Sequence, residues 1–138
     1  MRLSMAEQGD EVLMIRTSED IVRIRQAVRS WAIRQGFTLV DQTKIVTAAS
    51  ELARNTIDYG GGGEVQLQAL KEGFRCGLRL TFIDQGPGIP DIELALQDGY
   101  TTGSGLGLGL GGARRLVNEF EIASRPGEGT RVTIARWK

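Results

Sequence analysis

"TTGSGLGLGLGG", residues 101–112, sets six glycines among twelve positions and runs straight into "ARRLVNEFEI". Glycine loses the most conformational freedom on folding, so a run this dense marks backbone that something approaches closely. Gly107, Gly109 and Gly112 satisfy G-x-G-x-x-G, but a dinucleotide loop follows a strand and opens a β-α-β unit. Here "LQDGYTTGS" precedes the motif and a hairpin pattern follows it, so that reading fails on context. A Walker A loop needs Lys and then Ser or Thr after its last glycine, where Ala113 and Arg114 stand. A kinase built on a His-Arg-Asp loop needs a histidine, and the chain has none. What survives is a row of unshielded amides opening into a helix N-terminus, a setting for a polyphosphate. A slack loop is the plain alternative.

The composition narrows the field further. With 138 residues the chain fits one domain, expected over 1–138 with 1–10 as a flexible lead. Lys plus Arg equals Asp plus Glu at 17 each, so whole-molecule attraction to nucleic acid or to an anionic membrane has no support. Cys76 is the only cysteine, which excludes an intramolecular disulfide and a multi-cysteine zinc site and suits a reducing cytoplasm. No histidine means no Ser-His triad, no His-ligated metal and no phosphohistidine on this chain. No apolar stretch approaches the ~18 residues of a membrane span, and "MRLSMAEQGDE" lacks a signal-peptide core. The expectation is a cytoplasmic protein whose function sits in a local site.

Outward from the glycines, the chain alternates strand and helix patterns. "EVLMIRT" (11–17) reads as a strand, and Ser18 as the N-cap of a helix with Ile21, Ile24, Val28, Trp31 and Ala32 at helical spacing. Its other face carries Arg23, Arg25, Arg29 and Arg34, read first as a solvated face and second as a docking stripe. A second helix spans about 41–58, with Ile45, Ala49, Leu52 and Thr56 inward. "EVQLQAL" and "CGLRLTFID" read as neighbouring antiparallel strands, "IPDIELALQDG" as holding a short helix, and "GGARRLVNEFEI" as helical at its start. "EIASRPGEGTRVTIARW" closes the chain as a hairpin. The order β-α-α-β-β-(lid)-α-β-β predicts a two-layer α/β sandwich, a mixed and largely antiparallel sheet with helices on one face.

Two further segments carry chemistry. In "SELARNTIDYG", Glu51 and Asn55 lie four apart and so ~40° apart around a helix, at the margin of its buried stripe. An Asn oxygen is a hard, neutral ligand able to complete a Mg²⁺ shell of waters and phosphate oxygens, and a Glu beside it can orient or deprotonate a nucleophile. In "FIDQGPGIPD" a strand ends in Asp84 before Gly86, Pro87 and Gly88 turn the chain. A carboxylate there can accept from a purine amino group while glycines let the base come against backbone. Each segment alone also reads as surface decoration or a capped Pro-Gly turn.

Together and in this order the three segments resemble the Bergerat-fold (GHKL) ATP-binding family, which includes gyrase-type ATPases, sensor histidine kinases and bacterial anti-sigma-factor serine kinases. "ELARN" resembles its N box, "DQGPGI" its first glycine box and "GSGLGLGL" its second, and "GEGTRVTI" supplies a threonine; the likeness runs over 12–137. The resemblance implies ATP and Mg²⁺ as cofactors, with Asn55 holding the metal, Asp84 with Gly86 and Gly88 receiving adenine, and Thr130 supporting it. It further implies that Gly103, Gly105, Leu106, Gly107, Leu108 and Gly109 wrap the phosphates within a lid over 91–110, and that Glu51 is the general base. Asp58, one turn past Asn55, is a departure that either adds a water-mediated metal contact or faces solvent. The length suits no histidine-bearing or transducer domain, so the branch implied is the short serine/threonine kinases of partner switching, most like the stressosome switch kinase. Its expected partners are a STAS-domain substrate and a PP2C-type phosphatase activated by binding, with no nucleic acid and no membrane. The alternatives are a kinase that binds a sigma factor directly and a nucleotide-gated binding switch with little catalysis.

Overall fold

The elements follow the expected order: β1 (Asp10–Ile15), α1 (Ser18–Arg34), α2 (Leu39–Asp58), β2 (Gly63–Glu72), β3 (Arg75–Asp84), α3 (Ile92–Ala95), α4 (Gly109–Arg115), β4 (Glu119–Ser124) and β5 (Thr130–Trp137). This computed structural model describes residues 10–97 and 109–138. Residues 1–9 of the expected flexible lead lie outside the described residues, as does the lid segment 98–108 with Gly103, Gly105, Leu106, Gly107 and Leu108. Asp10 is already part of β1.

The strands form one sheet in the order β1-β2-β3-β5-β4. All four ladders are antiparallel, so among the described residues the sheet has no parallel pair. Period-two alternation sends Ile15, Val65, Leu67, Leu78, Leu80, Phe82, Val132 and Ile134 to one face, where they are buried against α1 and α2. The helices supply Ile21, Ile24, Val28, Trp31 and Ala32 from α1 and Ile45, Ala49 and Leu52 from α2, the stripes their spacing predicts. Trp31 lies within this core and donates its indole N–H to Glu11 Oε1 at 2.7 Å, which ties α1 to β1.

Helix α1 starts one residue earlier in capping terms than the sequence suggests. Thr17, in extended geometry, is the N-cap and Ser18 is the first helical residue. The reason is Asp20, whose carboxylate accepts the N–H groups of Arg16 (2.8 Å) and Thr17 (3.1 Å) and closes the helix start from its third position. Those two amides, with Arg23, hold the Asp20 carboxyl below its ordinary range. Helix α2 likewise starts at Leu39, ahead of the expected 41, because Thr38 accepts from the Asp41 N–H at 3.2 Å. Three arginines of the basic stripe are engaged within the chain, Arg23 with Asp20, Arg29 with the Gln42 side-chain oxygen and Arg34 over the Trp31 ring.

Among the described residues one ion pair joins the layers. Arg136 of β5 donates Nη2 to Asp41 Oδ1 at 2.7 Å and Nη1 to the Leu116 carbonyl at 2.9 Å. Asp41 is held below its ordinary value of 3.8, chiefly by that hydrogen bond from Arg136. A depressed carboxyl adds stability that is complete above the unfolded value and is withdrawn as pH falls through the folded one. The melting-temperature gap between wild type and Asp41→Asn is therefore expected to be full at neutral pH and to close as pH drops below 3.8. A gap that persists on the acid side would remove the pair as its cause.

Candidate nucleotide site

Helix α2 and the ends of β3 and β5 face each other across a cavity of about 250 Å³. Its lining is largely apolar, with Leu52 of α2, Phe82 of β3 and Val132 of β5 joined by Ile89, Leu94, Ala95 and Leu110. Into this apolar slot converge Asn55, Asp84 and Thr130, together with Gly88 and Gly109. An apolar cleft with few polar groups suits a flat heteroaromatic ring.

The register of the sheet sets the polar pair. Asp84, last in β3, stands opposite Thr130, first in β5, so both side chains fall on the helix-covered face. Asp84 is 8% exposed. Burial pushes its carboxyl above the ordinary value, opposed by the N–H groups of Gly86 and Thr130. The Gly86 N–H reaches Oδ1 at 2.9 Å, so this glycine does not line the cavity but backs the carboxylate that does. Gly88 has φ +83°, and a Cβ there would stand 2.2 Å from the Arg125 carbonyl, which leaves glycine as the residue that lets this turn close on the β4–β5 turn. The Gly127 N–H completes that contact on the Pro87 carbonyl at 2.7 Å.

Two residues around the Asp84–Thr130 pair, one beside each, escaped the sequence reading. Gly60, just past the end of α2, lies so close that a Cβ would stand 2.3 Å from Asp84 Cγ. Ser124, in β4 opposite Thr130, places its hydroxyl 2.8 Å from Thr130 Oγ1. The signal for Ser124 was available, since a hairpin turn over 125–129 puts it across from Thr130.

The pair on α2 divides. Asn55 lines the cavity, whereas Glu51, one turn earlier, does not. Glu51 instead accepts the N–H of Gly109, the first residue of α4, at 3.3 Å. Beyond Gly109, Gly111 presses on the segment after α3, where a Cβ would meet the Leu96 carbonyl at 2.3 Å. The two described ends of the 91–110 stretch are thus held against each other and against α2. Asp58 faces solvent, the second of the two readings open for it. Among the described residues no cluster of three metal-ligating side chains occurs, so any cation here would be held largely by ligand oxygens and water.

Residues 40–138 match the family described as histidine kinase-, DNA gyrase B-, and HSP90-like ATPase. The chain belongs to this ATPase family. Among its relatives is the serine/threonine-protein kinase RsbT of Bacillus subtilis, 46% identical over 123 residues, which are 89% of this chain and 92% of that one. An anti-sigma F factor of a Thermoanaerobacter species is 32% identical over 82% of each chain. Among solved structures, the RsbU and RsbW domains of a Mycobacterium tuberculosis protein superpose with a TM-score of 0.66 at 22% identity, covering 94% of this chain and 33% of that one. At that identity the likeness speaks for the fold alone: the antiparallel α/β sandwich described above is the fold of this family. Among the described residues no helix is long and apolar enough to cross a membrane.

Proposed function

We propose that the chain is a cytoplasmic Mg²⁺- and ATP-dependent protein serine/threonine kinase of a partner-switching system. The observation that carries this reading is the cavity in which Asn55, Asp84, Gly88, Gly109 and Thr130 converge, with Glu51 one helical turn from Asn55. The likeness to a serine/threonine-protein kinase at 46% identity over most of both chains supports it.

In this reading the purine lies on Leu52, Phe82 and Val132, and Asp84 accepts from its exocyclic amine. Asn55 and the backbone around Gly109 attend the phosphates. Asn55 would hold Mg²⁺ through its amide oxygen, and when bound the cation neutralises charge on the phosphate oxygens. Glu51 takes the proton from the attacking hydroxyl as the Oγ–P bond forms and the bond to the β-phosphate oxygen breaks, giving ADP and a phosphorylated Ser or Thr. The phosphoacceptor is proposed to be a STAS-domain protein, and a PP2C-type phosphatase a partner activated by binding. Both partner assignments rest on the family resemblance. The anti-sigma F factors among the relatives favour one alternative, a kinase that also binds a sigma factor directly.

Incubation with γ-labelled ATP and a STAS-domain protein is expected to label that protein's Ser or Thr. Labelled free phosphate without labelled protein would reduce the chain to an ATPase. No chemistry combined with nucleotide-dependent capture of the phosphatase would make it a binding switch.

A further inference from the structure

Ser124 does not line the cavity, yet its hydroxyl has three partners within hydrogen-bond reach. The Ile89 backbone N–H donates to it at 2.7 Å. The Gly129 carbonyl, 3.1 Å away, can only accept from it. The third partner, Thr130 Oγ1 at 2.8 Å, is able to do either. A serine hydroxyl has one proton and two lone pairs. The Ile89 N–H takes one lone pair and the Gly129 carbonyl takes the proton, which leaves one lone pair for Thr130. The Thr130 proton therefore points back at Ser124, and Thr130, which lines the cavity, keeps only lone pairs on Oγ1 for any further partner.

We infer that Ser124 is a positioning residue that makes Thr130 an obligate acceptor and, through it, sets the site's preference for a 6-amino over a 6-oxo purine. Asp84 lies opposite Thr130 on the same face of the sheet and is itself an acceptor when ionised. Two acceptors side by side satisfy an exocyclic amine, directly or through water. A 6-oxo group brings a third acceptor to the same place and leaves buried lone pairs facing one another, which is the kind of mismatch a binding site rejects strongly. Without Ser124 the Thr130 hydroxyl turns freely and can offer its proton to the oxo group. This inference rests on the nucleotide-binding reading above and deepens it.

The test is equilibrium binding of ATP and of inosine triphosphate to the full chain as wild type, Ser124→Ala and Ser124→Thr. Wild type is expected to prefer ATP, Ser124→Ala to lose about tenfold of that preference, the worth of one hydrogen bond, and Ser124→Thr to keep it. The ratio separates positioning from mere packing, because a loosened turn at Ile89 weakens both nucleotides together. An unchanged ratio in Ser124→Ala, whether or not both affinities fall, would overturn the inference while leaving nucleotide binding intact. Equal binding of the two by wild type would also overturn it. A wild-type chain that binds neither nucleotide would overturn the nucleotide reading itself and this inference with it.

Discussion

Glu51→Gln is expected to lower the rate of phosphoryl transfer by about 10²- to 10⁴-fold while ATP affinity stays close to that of wild type. The geometry behind this is the bond from the Gly109 N–H to Glu51 Oε1 at 3.3 Å. A glutamine keeps an oxygen in that place, so the hold of α2 on the start of α4 survives, but the amide cannot take a proton from a hydroxyl. Glu51→Ala removes both functions, and the difference between the two variants measures the positional share. Single-turnover transfer alongside equilibrium nucleotide binding reads both quantities. Transfer by Glu51→Gln at the wild-type rate would take the base away from Glu51 and leave it a tether.

Gly60→Ala is expected to weaken nucleotide binding by about tenfold to a hundredfold, the cost of misplacing a charged hydrogen-bond acceptor. The new methyl would sit 2.3 Å from Asp84 Cγ and 2.4 Å from its Cβ. The short Asp84 side chain has no room to flex away, being buried and fixed at the end of β3 by the pairing with Thr130. Either the carboxylate leaves the cavity or the end of α2 lifts from the sheet, at a stability cost of about 1–3 kcal/mol for an overpacked site. Circular dichroism separates the two, and ATP affinity unchanged in a folded Gly60→Ala protein would mean that Asp84 does not read the base.

The layers were legible because their patterns are local. Helical spacing on α1 and α2 named residues that the core buries, and the patterns of "EVQLQAL" and "CGLRLTFID" marked β2 and β3 as paired strands. What failed to show locally was decided by distant partners. The stretch "GGARRLVNEFEI" is helical at its start as read, through Arg115, but the strand after it begins at Glu119, two residues ahead of the expected hairpin, because β4 pairs that far along β5. No sequence pattern announces Arg136 on Asp41, 95 positions apart. The candidate site divides in the same way. Asn55, Asp84, Gly88, Gly109 and Thr130 come together as the three motifs suggest, whereas Glu51 and Gly86 stand behind the cavity and act on its backbone and its carboxylate. Gly60 and Ser124 carry no motif at all; their importance comes from what lies across the chain from them.

The buried Asp84 also makes the ligand part of the protein's folding equilibrium. Its raised pKa means that, around neutral pH, the ionised carboxyl favours the unfolded chain, where water solvates it. A bound group that donates to Asp84 offsets that deficit, and any ligand selective for the folded state stabilises it in proportion to the logarithm of its concentration over Kd. On the nucleotide-binding reading proposed above, the folded population of the chain therefore rises with the nucleotide concentration.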